Sequence, residues 1–336
     1  MMMKHLQYGS FGADAASLIE LRETPLPSPG PTQCLVEVLA APINPADLLA
    51  IEGRYGAAGH LPARGGSEGV GQIIACGTAV DGLAAGTRVL LPFGSGTWSS
   101  HQLLPHDGLR PLPKEADVLQ LAMLTCNPAA AALMLSEFAS LTSGDWVIQN
   151  AANSGVGFNV IQLAKARGLR TINIVRRPEL VPVLSAAGAD QVVIDGDSMV
   201  DAIADIVADG RLLLGLDAVG GTATNRIAAC LGAGGRLVSY GLLSGEPCQI
   251  DPFHLIFRQI DLCGFWRAKW FRDADPAWVS ALMDDLIADL LAGRLHAPVQ
   301  ATFPLEQASE ALRLAASPHR QGKVLFVPGA QPVNGV

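Results

Sequence analysis

At 336 residues the chain is too long for one ordinary hydrophobic core, so two domains are expected. Its composition, 49% hydrophobic and only 16% charged, excludes a disordered or coiled chain, and a formal charge of −8 without a basic tract argues against nucleic acid as the main partner. No apolar run reaches the ~18 residues of a membrane span, and the six cysteines form no C-x-x-C pair, giving neither a disulfide framework nor a structural zinc site.

The opening MMMKHLQYGSFGADAASL lacks both a secretory apolar core and an Arg-rich transit pattern, so a cytoplasmic address is expected. Residues 1 to about 120 read as β-rich and turn-rich. Strands are predicted at Cys34–Ala40, Val70–Cys76 and Thr87–Leu91, with APINPADLLAIEGRYG as a loop and 77–86 as a turn. From Val118 to Phe138 the texture becomes a helix pattern broken at Asn127-Pro128.

Trp146–Ala151 is a short apolar run with the pattern of a buried parallel strand. Asn153, Ser154, Gly155, Val156 and Gly157 make a small-residue turn, Val156–Lys165 an amphipathic helix, and Thr171–Val175 a second strand. This is a βαβ unit of dinucleotide-binding length, whose first helical turn offers unpaired N–H groups to a pyrophosphate. The usual G-x-G-x-x-G is degenerate, since Ala151 and Ser154 stand where glycines could be. An acidic residue after the second strand would hold the ribose of NAD; Arg176 and Arg177 stand there instead and suit the 2′-phosphate of NADP.

Further α/β alternation follows, with strands at Gln191–Ile194, Leu212–Asp217, Gly235–Tyr240 and Ile260–Phe265, separated by helices at Leu180–Ala187, Met199–Val207 and Asn225–Leu231. The pattern means a parallel, doubly wound sheet. A helix at Ala277–Ala292, a closing segment at Phe303–Val327 and a frayed tail at Pro328–Val336 complete the chain. Trp98 is expected to pack across the domain junction.

This order, a β-rich part, a central dinucleotide fold and a short return, resembles the medium-chain dehydrogenase/reductase superfamily over nearly the whole chain. The zinc-dependent alcohol dehydrogenases in it need a ligand Cys where this chain has Ile43-Asn44-Pro45-Ala46-Asp47, and a His where it has Ser67. With those groups missing no metal is expected. Several stretches resemble instead the mitochondrial-type 2-enoyl thioester reductases: INPADLLAIEGRYG with Tyr55, GGSEGVG with Ser67 for the family's Asn, TCNPAAA, QNAANSGVG, an NIVRRPEL loop one residue shorter, SYGLLSG and GFWRAKW. The resemblance implies an α/β protein with a GroES-like catalytic domain (1–122 and 266–336) and a Rossmann NADPH-binding domain (123–265).

It further implies NADPH-dependent reduction of a trans-2-enoyl-CoA or enoyl-ACP, with Tyr55 as the proton donor, since a phenol donates while neutral at pH 7. The residues it places on the cofactor are Asn127, Asn153, Ser154, Gly155, Val156, Gly157, Arg176, Arg177, Tyr240, Gly241, Leu242, Leu243, Phe265, Trp266, Arg267 and Lys323. Read without it, Asn127 is a helix N-cap, Phe265 and Trp266 are core aromatics, Lys323 is a strand flank, and Glu68 bonds nearby backbone. An NADPH:quinone oxidoreductase would use the same cofactor residues without a committed acid, and a non-catalytic NADPH sensor would consume none. A homodimer through Leu237–Gly264 is expected, as is a basic rim for a carrier protein from Arg54, Arg64, Arg267, Lys269 and Arg272.

Overall fold

The computed structural model describes residues 2–56, 59–196 and 198–330. Contacts divide the chain into two compact units, Met1–Thr125 with Ala297–Val336, and Cys126–His296. Strands β1 (Met2–Tyr8), β2 (Ile19–Pro25), β3 (Gln33–Pro42), β4 (Ala63–Arg64), β5 (Val70–Cys76), β6 (Arg88–Leu90), β7 (His101–Pro105) and β8 (Arg110–Pro111) belong to the first unit. The second carries β9 (Trp146–Gln149), β10 (Arg170–Val175), β11 (Gln191–Ile194), β12 (Leu212–Asp217), β13 (Arg236–Ser239) and β14 (Asp261–Gly264). The chain then returns with β15 (Val299–Phe303) and β16 (Lys323–Phe326).

In the first unit β1 pairs with β2 and β4, and a larger sheet runs β15-β16-β3-β5-β6-β8, with β7 also on β3. β3 is the hub: it pairs with β16, β5 and β7, and Cys34, Val36, Val38, Ala40 and Pro42 make one of its faces wholly buried, while the other carries the exposed Glu37. Trp98 is fully buried in this unit's core, set edge-on to Phe326 with centroids 5.3 Å apart, and its indole N–H donates to Pro42 O at 3.1 Å. This corrects the expected junction role: a tryptophan with its donor satisfied inside one core is a packing residue.

Two further differences have local causes. The stretch read as a loop contains a helix, Pro45–Ile51, whose start is secured by Asn44 N–H donating to Asp47 Oδ2 at 2.8 Å, with Pro45 at its first turn. β1 and β2 escaped prediction because their sequences, MMKHLQY and IELRETP, mix polar and apolar residues, β2 being almost wholly exposed.

The second unit is a six-stranded parallel sheet in the order β11-β10-β9-β12-β13-β14. Its core includes Trp146, Ile148, Ile172, Leu212, Ile227 and Leu237. The second expected domain boundary, at 265/266, differs from the observed one at 296/297. The helix Pro276–Leu291 packs on the helix Asn127–Glu137, and Trp270 stacks with Phe138 and Phe265, so residues 266–296 stay with the second unit. The tail beyond residue 330 lies outside the described residues.

Candidate active site

In the first unit Tyr55 stands just past the helix Pro45–Ile51. That helix ends in a Schellman arrangement: Gly53 N–H donates to Ala50 O at 3.1 Å and Arg54 N–H to Leu49 O at 2.8 Å, with Gly53 at φ +74°. Only glycine adopts that φ without strain, so the turn delivers Tyr55 two residues after a rigid stop, where it is half-buried.

The other end of the helix is held by a buried polar cluster. Asn44 Nδ2 donates to Glu68 Oε1 at 2.9 Å, the Ser67 hydroxyl donates to Asp47, and Lys323 Nζ donates to Ile43 O at 3.3 Å and to Asn44 Oδ1. Asp47, Glu68 and Lys323 are 4%, 0% and 4% exposed. Burial pushes the Asp47 carboxyl up to about 6, while the Ser67 hydroxyl, the Asn44 N–H and the Lys323 charge pull it down and Glu68 pushes it further up. Ser67, which departs from the family's Asn, therefore serves the Asp47 carboxylate. Lys323 anchors the segment that leads into the helix before Tyr55, and Glu68 accepts from the Asn44 side chain.

In the second unit the turn after β9 has the form a dinucleotide needs. Ser154 caps the helix Gly155–Ala166, its Oγ accepting from Gly157 N–H at 3.1 Å. A Cβ on Gly157 would lie 2.3 Å from Ala152 O, so glycine is required there for the helix to approach the strand. Ala151 adopts φ +47°, the left-handed backbone of a fingerprint glycine, without being one. Asn153, Ser154, Gly155 and Val156 line the half-exposed rim of this turn. The turn fits a pyrophosphate: the first-turn N–H groups of Gly155 and Val156 and the positive end of the helix dipole lie at its half-exposed rim.

At the end of β10, Arg176 is exposed and Arg177 Nε lies 3.7 Å from Glu179 Oε1. Tyr240 and Gly241 follow β13 at the carboxyl edge of the sheet. Burial drives the Tyr240 phenol well above its usual pKa and the Ser154 hydroxyl draws it back, so Tyr240 stays neutral. Leu242 and Leu243 are 54% and 58% exposed. Phe265 is buried edge-on against Phe138 at 5.8 Å, Trp266 is exposed, and the guanidinium of Arg267 sits 4.8 Å over the Phe271 ring. Asn127 is the first residue of its helix, with Cys126 at the N-cap position.

The expected basic rim is reduced by pairing and burial. Arg267 is buried, Lys269 and Arg272 both bond Asp273, and Arg54 pairs with Glu52. Among the described residues no three His, Cys, Asp or Glu side chains gather as a metal site, and no helix is long and apolar enough to cross a membrane. Residues that the sequence reading passed over include Asp47, Asn150 and Asp217. Asn150 follows β9 and Asp217 ends β12, both polar residues closing apolar runs at the carboxyl edge of a parallel sheet, a pattern legible in the sequence.

Family models for an alcohol dehydrogenase GroES-like domain and for a zinc-binding dehydrogenase match residues 30–114 and 155–284. The mitochondrial enoyl-[acyl-carrier-protein] reductase of Rattus norvegicus is 38% identical over 322 residues, covering 94% of this chain and 86% of its own. Etr1p, a mitochondrial 2-enoyl thioester reductase of Candida tropicalis solved with NADP and crotonyl-CoA, superposes with a TM-score of 0.89 at 25% identity over 97% of this chain and 100% of its own. A Bacillus thuringiensis protein named for NADPH:quinone reduction gives 0.89 at 25% identity, over 97% and 99%.

Proposed function

The chain belongs to the family of the mitochondrial enoyl-[acyl-carrier-protein] reductases, and we propose that it reduces the C2=C3 bond of trans-2-enoyl thioesters with NADPH, Tyr55 donating the proton. The observation that carries this reading is the 38% identity over 94% of the chain, joined to Tyr55 held two residues past a rigid helix stop.

NADPH, when bound, supplies a hydride to the β-carbon of the substrate. The second unit holds it: Gly155 and Val156 offer N–H groups to the pyrophosphate, and Arg176 with Arg177 offers guanidiniums to the 2′-phosphate. Tyr240, like any phenol neutral at pH 7, adds no negative charge near that turn. Tyr55 gives its phenolic proton to the α-carbon, and the cluster of Asn44, Asp47, Ser67, Glu68 and Lys323 holds its helix in place.

Purified protein should oxidise NADPH with crotonyl-CoA or trans-2-decenoyl-CoA. Tyr55→Phe should lower kcat about 100-fold or more, the usual contribution of a positioned general acid, while leaving NADPH affinity intact. An unchanged rate in that variant would remove the proton-donor role. The equal superposition on the quinone-reductase-named protein supports a second reading; turnover of a benzoquinone but of neither thioester would establish it.

We also propose a homodimer. β14 ends the second unit's sheet, and beside it in sequence Phe253, Ile256 and Phe257 are 52%, 62% and 73% exposed. Such an unpaired edge with apolar neighbours invites a second copy. Sedimentation should give twice the 35.0 kDa chain mass; a species of single chain mass would refute it.

A further inference from the structure

We propose that Asp217 is a positioning residue for the dinucleotide, latching the phosphate turn across the crevice at the switch point of the parallel sheet. The inference rests on the NADPH reading above and names the residue that pre-sets the turn. From β9 the chain proceeds to β10 on one side, and β12 on the other side leads away to β13. The loops leaving β9 and β12 therefore diverge, and ligands of open α/β sheets bind between two such loops. The backbone pairing of β9 with β12 reaches Gln149 and Leu216, and beyond it side chains bridge the diverging loops.

Asp217 does so from complete burial. Its Oδ1 accepts from Asn150 Nδ2 at 2.6 Å, Val219 N–H at 2.8 Å and Gly220 N–H at 3.0 Å, and its Oδ2 accepts from the Thr224 hydroxyl at 2.6 Å. Asn150 answers across the gap: its Oδ1 accepts from Ala218 N–H at 2.8 Å. Its own N–H donates to Leu216 O at 3.2 Å. Asn150 is the residue before Ala151, and Ala151 is the one held in the left-handed backbone that turns the chain toward Ser154. Moving Asn150 moves the start of the turn whose N–H groups meet the pyrophosphate.

Four donors on two oxygens explain the residue type. A carboxylate accepts all four at once, and removing it leaves these buried donors without their acceptor. The carboxylate's two sides also separate two roles. Oδ1 spans the crevice to Asn150, while Oδ2 only ties the helix Thr222–Cys230 to the strand that precedes it.

The test titrates NADPH into the full-length protein, following nicotinamide fluorescence, with melting temperature recorded in parallel. Asn150→Ala and Asp217→Ala should raise the NADPH Kd about tenfold or more, the scale of a broken buried hydrogen-bond pair. Thr224→Val should lower the melting temperature about as much as Asn150→Ala does, yet keep the Kd within about twofold. In turnover the KM for NADPH should rise in Asn150→Ala while the KM for crotonyl-CoA stays put. Asn150→Ala keeps three of the carboxylate's four donors, so it remains informative if Asp217→Ala fails to fold. An Asn150→Ala protein of lowered melting temperature but unchanged Kd would overturn the proposal and leave Asp217 purely structural. A Thr224→Val Kd raised as far as the others would overturn it too. A wild-type chain that does not bind NADPH would overturn the cofactor reading itself, and this inference with it.

Discussion

Both units bury polar side chains beneath a functional loop, but they do so with different chemistry. The first supports the Tyr55 loop with ionisable groups, Asp47, Glu68 and Lys323, packed around Asn44. The second supports its phosphate turn largely with amides: Gln149 donates to Gly157 O at 3.0 Å and to Asn173 Oδ1 at 2.8 Å, and Asn173 donates to Thr171 Oγ1 and Gln191 O. An amide network loses about 1–3 kcal/mol when a member is removed, whereas a buried charge cluster loses more because the remaining charges are left uncompensated. The first loop is therefore more sensitive to the loss of one charged partner than the amide network is to the loss of one amide.

Lys323→Met tests the difference most severely. It takes the ammonium from Asn44 Oδ1 and Ile43 O and leaves Asp47 and Glu68 facing each other. A loss of about 3–5 kcal/mol in urea unfolding is expected, against about 1–3 kcal/mol for Asn173→Ala in the second unit. Equal losses would erase the contrast.

Asp47 supplies the pH dependence. Its folded pKa, about 6, lies above the ordinary 3.8, so the folded state holds the proton more tightly. Its contribution to stability is fully present below about 3.8 and is lost as pH rises through about 6. Asp47→Asn cannot ionise. The wild type should therefore gain on the variant as pH falls from 7 to 4, by about 2–3 kcal/mol of unfolding free energy. A difference independent of pH would show that Asp47 is not the titrating member.

The smallest effect belongs to the second unit's turn. Ala151 holds a left-handed backbone at φ +47°, which costs an alanine about 1–2 kcal/mol, while glycine there adds about 0.5–1 kcal/mol of unfolded-state entropy. Ala151→Gly should stabilise the protein by about 0.5 kcal/mol, read by urea unfolding. Destabilisation would mean that the methyl group makes contacts worth more than the strain.

The same contrast governs what could be read in advance. The fully buried strands β9, β10 and β12 are short apolar runs divided by glycine turns, and such runs announce themselves in sequence. The turn Asn153 to Gly157 is local too, since its cap and close approach involve residues within five positions of each other. β1, which mixes polar and apolar residues, and β2, almost wholly exposed, carried no comparable signal, and the helix Pro45–Ile51 was hidden among prolines and glycines although its Asn44–Asp47 capping pair was present.

What the sequence by itself determined is thus the local part: the parallel α/β alternation, the phosphate turn, the arginines after β10, and Tyr55 two residues past a glycine. What only the tertiary structure decided is the set of partners. Lys323 meets Asn44 across 279 positions, Glu68 meets Asn44 across 24, and Asp217 meets Asn150 across 67. A buried polar group must find a donor or acceptor wherever folding leaves one. Its partner is chosen by which strands become neighbours, and single-residue patterns along the chain do not encode that choice.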